Sequence, residues 1–333
     1  MIEAGDCCQV DGRSEVGQSV AMHEGTLEAI GSTPLVRLDR LVSDDHAAVW
    51  VKMEAANPTG SYKDRMALAM VRGGERDGRL APGQAVVEYT GGSTGSSLAF
   101  VCAVTGHPLH IVTSDAFAIE KRRTMEAFGA TIEIVSSPEG ITPELIPRMR
   151  ARAGEVAAEV GGFQTDQFRN TDMIDGYRRL GEEIIEQLPG TIDALCVYVG
   201  TAGCFLGVSR ALSSAHPLLH RVAVEPAESA VLSGRAAGTH RIEGGGAGFV
   251  PDMLEQSDYD EVIAVATADA FAMARRAAQV EGLFSGPSTG ANITAALTVA
   301  ERLGPGRTVV TIQVDSGLKY LSGDVFQSAQ RSA

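Results

Sequence analysis

The sequence has little of several features that would reveal a function directly. Aromatic residues make up 5% of its 333 residues and there is one tryptophan, so an aromatic platform for nucleic acid is not expected. No apolar run approaches the roughly 18 residues of a membrane-spanning helix, and the acidic, polar N-terminal segment is no secretory signal. The formal net charge of −14 disfavours binding to a phosphate backbone or an anionic membrane. We therefore expect neither nucleic acid nor a membrane as a partner.

Cysteines are also few, five in number and without a CxxC spacing. An odd count in a chain of this length argues against a disulfide framework or a zinc knuckle, and a reducing cytoplasm is the expected location. No GxSxG motif marks a nucleophile elbow. Three loose groups could hold a metal, but each fits solvated or core positions better: His107 with His110, Asp44 and Asp45 with His46, and Cys7 and Cys8 with His23. No metal site is expected.

The order of apolar and amphipathic segments predicts an α/β fold. Val- and Ile-rich runs alternate with helical segments, as in right-handed βαβ units whose mostly parallel sheet is covered on both faces. The predicted strands are 48–54, 85–90, 109–114, 131–136, 194–199, 221–225, 261–266 and 308–314. The predicted helices are 62–77, 96–104, 119–128, 143–159, 173–188, 204–214, 267–281 and 290–303. Residues 1–25 are expected to form an irregular arm, and the Gly-rich stretch 226–258 a loop over the site.

Glycine-rich turns lie beside several predicted strands and helices. They are 90–95 (TGGSTG), 200–204 (GTAGC), 285–290 (SGPSTG) and 315–317 (DSG). Ligands of open α/β sheets bind at the carboxyl ends of strands, where such turns offer backbone N–H groups to anions. One turn is weak evidence, because βα turns need glycine for steric reasons alone. Several turns on one sheet predict a ligand with more than one anionic group.

Lysine is scarce, since only four of the 28 basic residues are lysines. A guanidinium cannot replace an amine nucleophile, so each lysine is a candidate for covalent chemistry. Lys52 and Lys121 are expected to be solvated or to pack through their stems, and Lys319 follows a glycine turn. Lys63 stands at the predicted start of a helix, where a cation is disfavoured. This position should lower the pKa of the amine and favour the free base that a Schiff base requires.

A dinucleotide site is the rival interpretation of 200–207, GTAGCFLG. The segment follows a predicted strand and opens a predicted helix, and Glu225 ends the next strand, where an acid could bind a ribose hydroxyl. The glycine spacing is GxxGxxxG rather than GxGxxG, which makes the match weak.

The segment around Lys63, NPTGSYKDR (57–65), resembles the lysine motif of the cysteine synthase / cystathionine β-synthase family of fold type II pyridoxal-phosphate (PLP) enzymes. The resemblance runs in order from GSTPLV (31–36) to DSGLKYL (315–321). It implies two doubly wound, mostly parallel α/β subdomains with the site in the cleft between them. Residues 1–62 and 172–333 would form the large, cofactor-binding domain. Residues 63–171 would form a small, mobile, substrate-binding domain.

The resemblance also implies roles for individual residues. Lys63 would hold PLP and act in catalysis, and Ser316 would meet the pyridine nitrogen. The phosphate cup corresponds to Gly200, Thr201, Ala202, Gly203 and Cys204. The substrate-carboxylate loop corresponds to Thr90, Gly91, Gly92, Ser93 and Thr94, with Gln167 facing the same carboxylate. Gly246 belongs to a segment, 245–251, that resembles the family's flexible stretch beside the site.

Three positions depart from the family pattern. Ser93 replaces an asparagine that contacts the phenolic oxygen of the cofactor, Gly91 lacks a hydroxyl near the carboxylate, and Cys204 replaces a threonine of the phosphate cup. These departures leave the donor substrate open.

The resemblance predicts β-replacement on an O-activated L-serine through an aminoacrylate, with sulfide adding to give L-cysteine. One alternative is a PLP-dependent lyase, either a serine/threonine dehydratase or a cysteine desulfhydrase. Another is a catalytically silent PLP-binding partner protein. A homodimer that acts on a small amino acid and a small nucleophile is expected.

Overall fold

The computed structural model describes residues 24–142 and 144–327. The arm predicted over residues 1–25 therefore lies outside the described residues, apart from Glu24 and Gly25, as do Cys7, Cys8 and His23. In the described part, ten strands form two sheets and eight α-helices cover them. None of the described helices is long and apolar enough to cross a membrane.

The strands are β1 (Leu35–Arg37), β2 (Ala48–Met53), β3 (Val86–Tyr89), β4 (Leu109–Ser114), β5 (Thr131–Val135), β6 (Phe163–Gln164), β7 (Ala194–Tyr198), β8 (His220–Pro226), β9 (Glu261–Val265) and β10 (Thr308–Gln313). The helices are α1 (Lys63–Asp77), α2 (Ser93–Thr105), α3 (Ile119–Ala127), α4 (Leu145–Val160), α5 (Asp172–Gln187), α6 (Gly203–Ala215), α7 (Thr267–Glu281) and α8 (Pro287–Leu303).

The larger sheet has six strands in the order β1-β2-β10-β7-β8-β9. Only β1, at one edge, pairs antiparallel; every other neighbour is parallel. The central strands β7 and β10 are almost wholly buried, as expected for Val- and Ile-rich runs in a sheet that is covered on both faces. The carboxyl ends of β7 and β10 therefore lie side by side, and the turns that follow them meet.

The smaller sheet has four parallel strands in the order β5-β4-β3-β6. Every residue of β3 is buried, and helices α2 and α4 pack against it. The cleft is the space between the carboxyl ends of the two sheets. The turn after β3 opens into this cleft, opposite the turn after β7.

A buried network of charged residues fixes helix α1 where it meets the larger sheet. The guanidinium of Arg65 donates to both carboxylate oxygens of Glu54 at 2.7 and 2.9 Å, and to those of Glu183 at 2.7 and 2.8 Å. The ammonium of Lys52 lies 2.7 Å from Glu183 and also donates to the carbonyl of Thr33. Of the two alternatives expected for Lys52, solvation is wrong, because its side chain is fully buried and ion-paired.

The predicted α/β architecture with mostly parallel sheets is confirmed. All eight predicted helices and all eight predicted strands are present, and β4 has the predicted limits. Two strands were not predicted: the three-residue edge strand β1 and the two-residue strand β6. Both are too short to show an alternating pattern.

Candidate active site in the cleft

Lys63 is held at the carboxyl end of β10 by two backbone hydrogen bonds of the residues just before it. The N–H of Tyr62 donates to the carbonyl of Val314 at 3.0 Å, and the N–H of Ser316 donates to the carbonyl of Gly60 at 2.9 Å. Helix α1 begins at Lys63, whose ammonium nitrogen lies 4.7 Å from the centre of the Tyr62 ring. The 57–65 motif therefore places this side chain in the cleft.

Burial lowers the pKa of the Lys63 amine from 10.5 to about 8. Desolvation disfavours the charged form, and it outweighs the acidic residues around the amine, which act in the opposite direction. The direction predicted from the helix N-terminus is confirmed, although burial is the largest cause. Lys63 therefore has far more free amine near neutral pH than an exposed lysine.

The loop between β3 and α2 forms one wall of the cavity, and its geometry is tied to Gln167. The hydroxyl of Thr94 donates to the Gln167 side-chain oxygen at 2.8 Å, and the Gln167 amide donates to the carbonyl of Tyr89 at 3.0 Å. Gly92 has φ +141°, and a Cβ there would lie 2.2 Å from the stem of Lys121, so only glycine fits. Backbone N–H groups at the start of α2 are thereby presented to the cavity, as a carboxylate requires.

Ser93 connects the loop to a buried acid on the larger sheet. Its hydroxyl donates to Asp315 Oδ2 at 3.2 Å, and the Tyr320 hydroxyl donates to the same oxygen at 2.7 Å. Burial raises the pKa of Asp315, and its other oxygen, Oδ1, has no hydrogen-bond partner.

The turn after β7 forms the opposite wall. Gly200 lies against the Gly-rich segment 244–248, and a Cβ at position 200 would be 2.6 Å from the carbonyl oxygen of Gly244. Ala202 has φ +72°, and helix α6 begins at the next residue, so the turn presents the N-terminus of α6. The Nδ1 atom of His240 accepts a hydrogen bond from Ile242 N, so the other ring nitrogen, Nε2, carries the proton. Nε2 donates to the carbonyl of Gly246 at 2.8 Å and fixes this residue.

Neither Ser316 nor Ser288 is among the residues that line the cavity, and the two serines differ in whether their hydroxyls have a partner. The Ser316 hydroxyl accepts from the backbone N–H of Leu318 and caps the short turn 317–320. Ser288, in the first turn of α8, has a buried hydroxyl without a hydrogen-bond partner. That oxygen would lie 3.9 Å from a Cβ built at Gly244, a residue of the cavity wall. Ser288 was missed in the sequence, although it lies in the 285–290 glycine-rich turn that we singled out.

Lys121 and Glu243 form an ion pair across the cleft, with Lys121 Nζ 2.6 Å from Glu243 Oε2. The Lys121 ammonium also lies 4.5 Å from the centre of the Tyr320 ring. Of the two alternatives expected for Lys121, solvation is wrong, since only 3% of its side chain is exposed, whereas its stem does lie against Gly92. Lys319 is buried as well, and burial lowers its pKa.

A single cavity thus unites most of the predicted site residues. Those that line it are Lys63, Thr90, Gly91, Gly92, Ser93, Thr94, Gln167, Gly200, Thr201 and Gly246. Ala202, Gly203 and Cys204 lie behind Thr201, buried at the start of α6. Glu225 does not serve the dinucleotide alternative, because its carboxylate accepts hydrogen bonds from Leu232 and Ser233.

Comparison with known proteins identifies the family. The family described as "Pyridoxal-phosphate dependent enzyme" matches residues 26–315. A cysteine synthase of Staphylococcus aureus is 40% identical over 301 residues, which are 90% of this chain and 96% of that protein. Among solved structures, a cysteine synthase from Entamoeba histolytica superposes with a TM-score of 0.87 at 34% identity, covering 98% of this chain and 96% of that one. An O-ureido-L-serine synthase also superposes with a TM-score of 0.87, at 33% identity, covering 94% of this chain and 98% of that one.

These matches extend over both sheets and over every residue that lines the cavity walls described above. The chain belongs to the pyridoxal-phosphate dependent enzymes, and it is an enzyme of the cysteine synthase type.

Proposed function

We propose that the protein makes L-cysteine by β-replacement, exchanging the activated oxygen of an O-acetyl-L-serine-like donor for sulfide. The proposal rests on one observation: a single cavity holds the buried amine of Lys63 and the loop 90–94, which is hydrogen-bonded to Gln167 through Thr94. The cysteine synthase of Staphylococcus aureus, 40% identical, supports the same reaction.

The residues of the cavity fit PLP. Lys63 offers an amine that burial keeps reactive, and the start of α6 behind Gly200 and Thr201 offers N–H groups to a phosphate. The unpartnered hydroxyl of Ser288 is matched to a pyridine nitrogen, so we assign it the role that the resemblance gave to Ser316. When bound, PLP withdraws electron density from the Cα of an amino acid.

The bond changes can be assigned to the groups of this chain. Lys63, as a free amine, takes the proton from Cα of the donor. The Cβ–O bond then breaks, and its electron pair leaves with acetate. The sulfur of hydrosulfide forms the new Cβ–S bond with its own electron pair, and Lys63 returns the proton to Cα. The sum is O-acetyl-L-serine and hydrogen sulfide to L-cysteine and acetic acid.

The loop 90–94 and Gln167 would hold the donor carboxylate so that Cα faces Lys63. Thr94 is the residue best placed to orient Gln167, because its hydroxyl already bonds to that side chain. We also propose that residues 63–171 move as a small domain, and that the enzyme is a cytoplasmic homodimer. The three described cysteines, all buried and free, suit a reducing compartment.

The test is turnover by the purified PLP-loaded protein with O-acetyl-L-serine and sulfide. We expect L-cysteine and acetate in equal amounts, and a visible absorbance that changes on adding the donor and returns on adding sulfide. Lys63→Ala should lose the turnover and the absorbance of the bound cofactor. Arg178→Ala, on the exposed face of α5, is the control and should retain both.

Two outcomes would overturn the proposal. Release of ammonia and a keto acid at the same rate with or without sulfide would establish the lyase instead. A protein that binds PLP through Lys63 but turns over no amino acid would establish the silent binding protein.

A further inference from the structure

Glu88 is a buried carboxyl group that the proposed mechanism does not use. It has no solvent exposure and lies in β3, two positions before the loop 90–94. Three neutral donors meet its carboxylate: the Thr165 hydroxyl donates to Oε2 at 2.7 Å, the N–H of Gln167 to the same oxygen at 3.1 Å, and the N–H of Tyr89 to Oε1 at 2.8 Å. All three donors are uncharged, so an ionised Glu88 would be a buried charge without a cationic partner among them.

The same carboxyl group holds the donor-binding wall of the cavity together. Thr165 and Gln167 follow β6, whereas Glu88 belongs to β3, so its Oε2 joins two segments of the smaller sheet. The Gln167 side chain lines the cavity and accepts a hydrogen bond from Thr94 of the loop. Glu88 thus fixes the backbone of the residue whose side chain, under the proposed function, faces the donor carboxylate.

We propose that Glu88 is a positioning residue for Gln167, and that it carries a proton whenever the donor carboxylate occupies the loop 90–94. Donor binding by this enzyme is then coupled to proton uptake. The inference rests on the proposed function and deepens it, because Glu88 acts on the donor through Gln167 and through its own charge, without touching the donor.

Electrostatic repulsion is the reason for the proton. The donor brings a negative charge to the cavity side of Gln167, and two like charges in a region with little water are poorly screened. A protonated Glu88 removes this repulsion and still accepts hydrogen bonds through Oε2. The charge of Glu88 is felt inside the cavity, as Lys63 shows: burial lowers the pKa of its amine, and Glu88 is among the acidic groups that act in the opposite direction.

The elements packed against β3 supply no charge that would take the place of this proton. Glu88 shares a face of β3 with Val86, which packs with α2, and the one titratable side chain of α2 is Cys102. The other face of β3 meets α4, and His110 of β4 lies on that side with Val87. The charged residues of α4 are Arg148, Arg150, Arg152, Glu155 and Glu159.

Asp166 is the charged residue next to this site in the chain, and it adds to the repulsion. It is paired with Arg150 at 3.3 Å. Burial raises the pKa of Glu88 to about 8, and the charge of Asp166 acts in the same direction, against the hydrogen bonds from Thr165 and the backbone. Glu88 therefore exchanges its proton in a pH range that is accessible to experiment.

Calorimetry with a carboxylate that has no amine tests the coupling in the PLP-loaded enzyme. 3-(Methylthio)propanoate keeps one negative charge from about pH 6.5 to about pH 9.5, so a change in its binding reports on the protein. We expect its affinity to fall about tenfold or more across this range. Binding enthalpies in buffers of different ionisation enthalpy should show almost no proton uptake at the acid end, where Glu88 already holds its proton, and about one proton at the alkaline end.

Two variants should change this profile in different ways. Glu88→Gln is neutral at every pH, so at about pH 9.5 it should bind the carboxylate about tenfold more tightly than the wild type, without the proton uptake. Thr165→Val removes a hydrogen bond that favours the ionised form of Glu88, so the fall in affinity should move to higher pH. Glu182→Gln, in an exposed ion pair on α5, is the control and should reproduce the wild-type profile.

L-cysteine formation, measured on the same preparations, separates this inference from the proposed function. Turnover with a pH-independent affinity, or with equal proton uptake by the wild type and Glu88→Gln, would overturn the role of Glu88 and leave the proposed function intact. Carboxylate binding with the expected proton uptake but without turnover would overturn the proposed function and retain the coupling at Glu88. If Glu88→Gln weakens binding equally at both ends of the pH range, Glu88 only supports the fold, and the proposal is wrong.

Discussion

The ring of Phe117 lies against Gly91 so closely that a Cβ built at position 91 would be 2.8 Å from the ring. The ring thus occupies the space that a side chain at position 91 would need, which explains why this residue is a glycine. We predict that Gly91→Ser displaces the loop and raises the KM for O-acetyl-L-serine at least about tenfold, while Gly91→Ser with Phe117→Leu recovers most of the loss. Steady-state kinetics of the two variants and of Phe117→Leu alone would show this coupling. Additive effects would contradict it.

Ser288 and Ser316 offer a comparison of two serines with opposite surroundings. Ser288 has a buried hydroxyl without a partner, whereas that of Ser316 accepts a backbone hydrogen bond. Ser288→Ala should leave the melting temperature of the PLP-free protein unchanged or raise it, since an unsatisfied buried group is removed. It should also weaken PLP binding about tenfold. Ser316→Ala should do the reverse, lowering stability slightly with little effect on PLP affinity. Equal effects of both variants on PLP affinity would contradict our assignment.

Lys63 should control the pH dependence of cofactor uptake. Burial lowers its pKa to about 8, and the free amine is the reacting form. The rate of PLP incorporation should therefore rise with pH and level off above about 8. Stopped-flow absorbance across pH 6 to about 10 measures this directly. A rate that still climbs steeply near pH 10 would mean that the amine keeps the pKa of an exposed lysine.

Glu88 should make the folded protein less stable as the pH rises. It is fully buried in β3, and burial raises its pKa from 4.5 to about 8. Between these values the unfolded chain has released the Glu88 proton while the folded protein retains it, so the free energy of unfolding falls with rising pH and levels off above about 8. Glu88→Gln removes this contribution. Urea unfolding at pH 5.5 and 8 should show a smaller loss in the variant, by about 2 kcal/mol or more. An identical pH profile would contradict the prediction.

Arg65 should be a large contributor to stability although it lies two residues from Lys63, which lines the cavity. It donates to both Glu54 and Glu183, and the pKa of Glu183 is held down to about 2 by these bonds and by Lys52, against the effect of burial. Arg65→Met leaves the buried carboxylate of Glu54 and the partly buried carboxylate of Glu183 without their main partner, which should lower the free energy of unfolding by about 3 to 5 kcal/mol. Arg178→Met, in an exposed pair on α5, should cost less than about 1 kcal/mol. Chemical denaturation of both variants gives the comparison.

The sequence was sufficient for the order of the elements and for a glycine-rich loop at 90–94 beside a strand, because βαβ periodicity and local motifs depend on neighbouring residues. It could not show which strands belong to which sheet or how neighbouring strands pair, since strand order and register depend on contacts between distant segments. It also could not distinguish Ser288 from Ser316, because the difference is whether each hydroxyl already has a partner in the folded chain.

The same limit applies to Lys52 and Lys121. Their partners Glu183 and Glu243 are more than one hundred residues away in the chain, and nothing near either lysine distinguishes a buried cation from a solvated one. Ion pairs between segments that are distant in the sequence become visible only when the fold is known.

The turns around the cavity and the ion-pair network around Arg65 constrain substitution in different ways. Lys63 and Arg65 share the first turn of α1, so one helix carries both the amine in the cavity and the guanidinium that pairs with Glu54 and Glu183. Two of the three residues that differ from the family pattern, Gly91 and Ser93, lie in the loop 90–94, where the ring of Phe117 fills the space beside Gly91 and Asp315 accepts a hydrogen bond from Ser93. Diversification of substrates through that loop therefore needs paired changes, and a directed-evolution library that varies residues 90–94 together with Phe117 should keep more of its members folded than one that varies the loop alone.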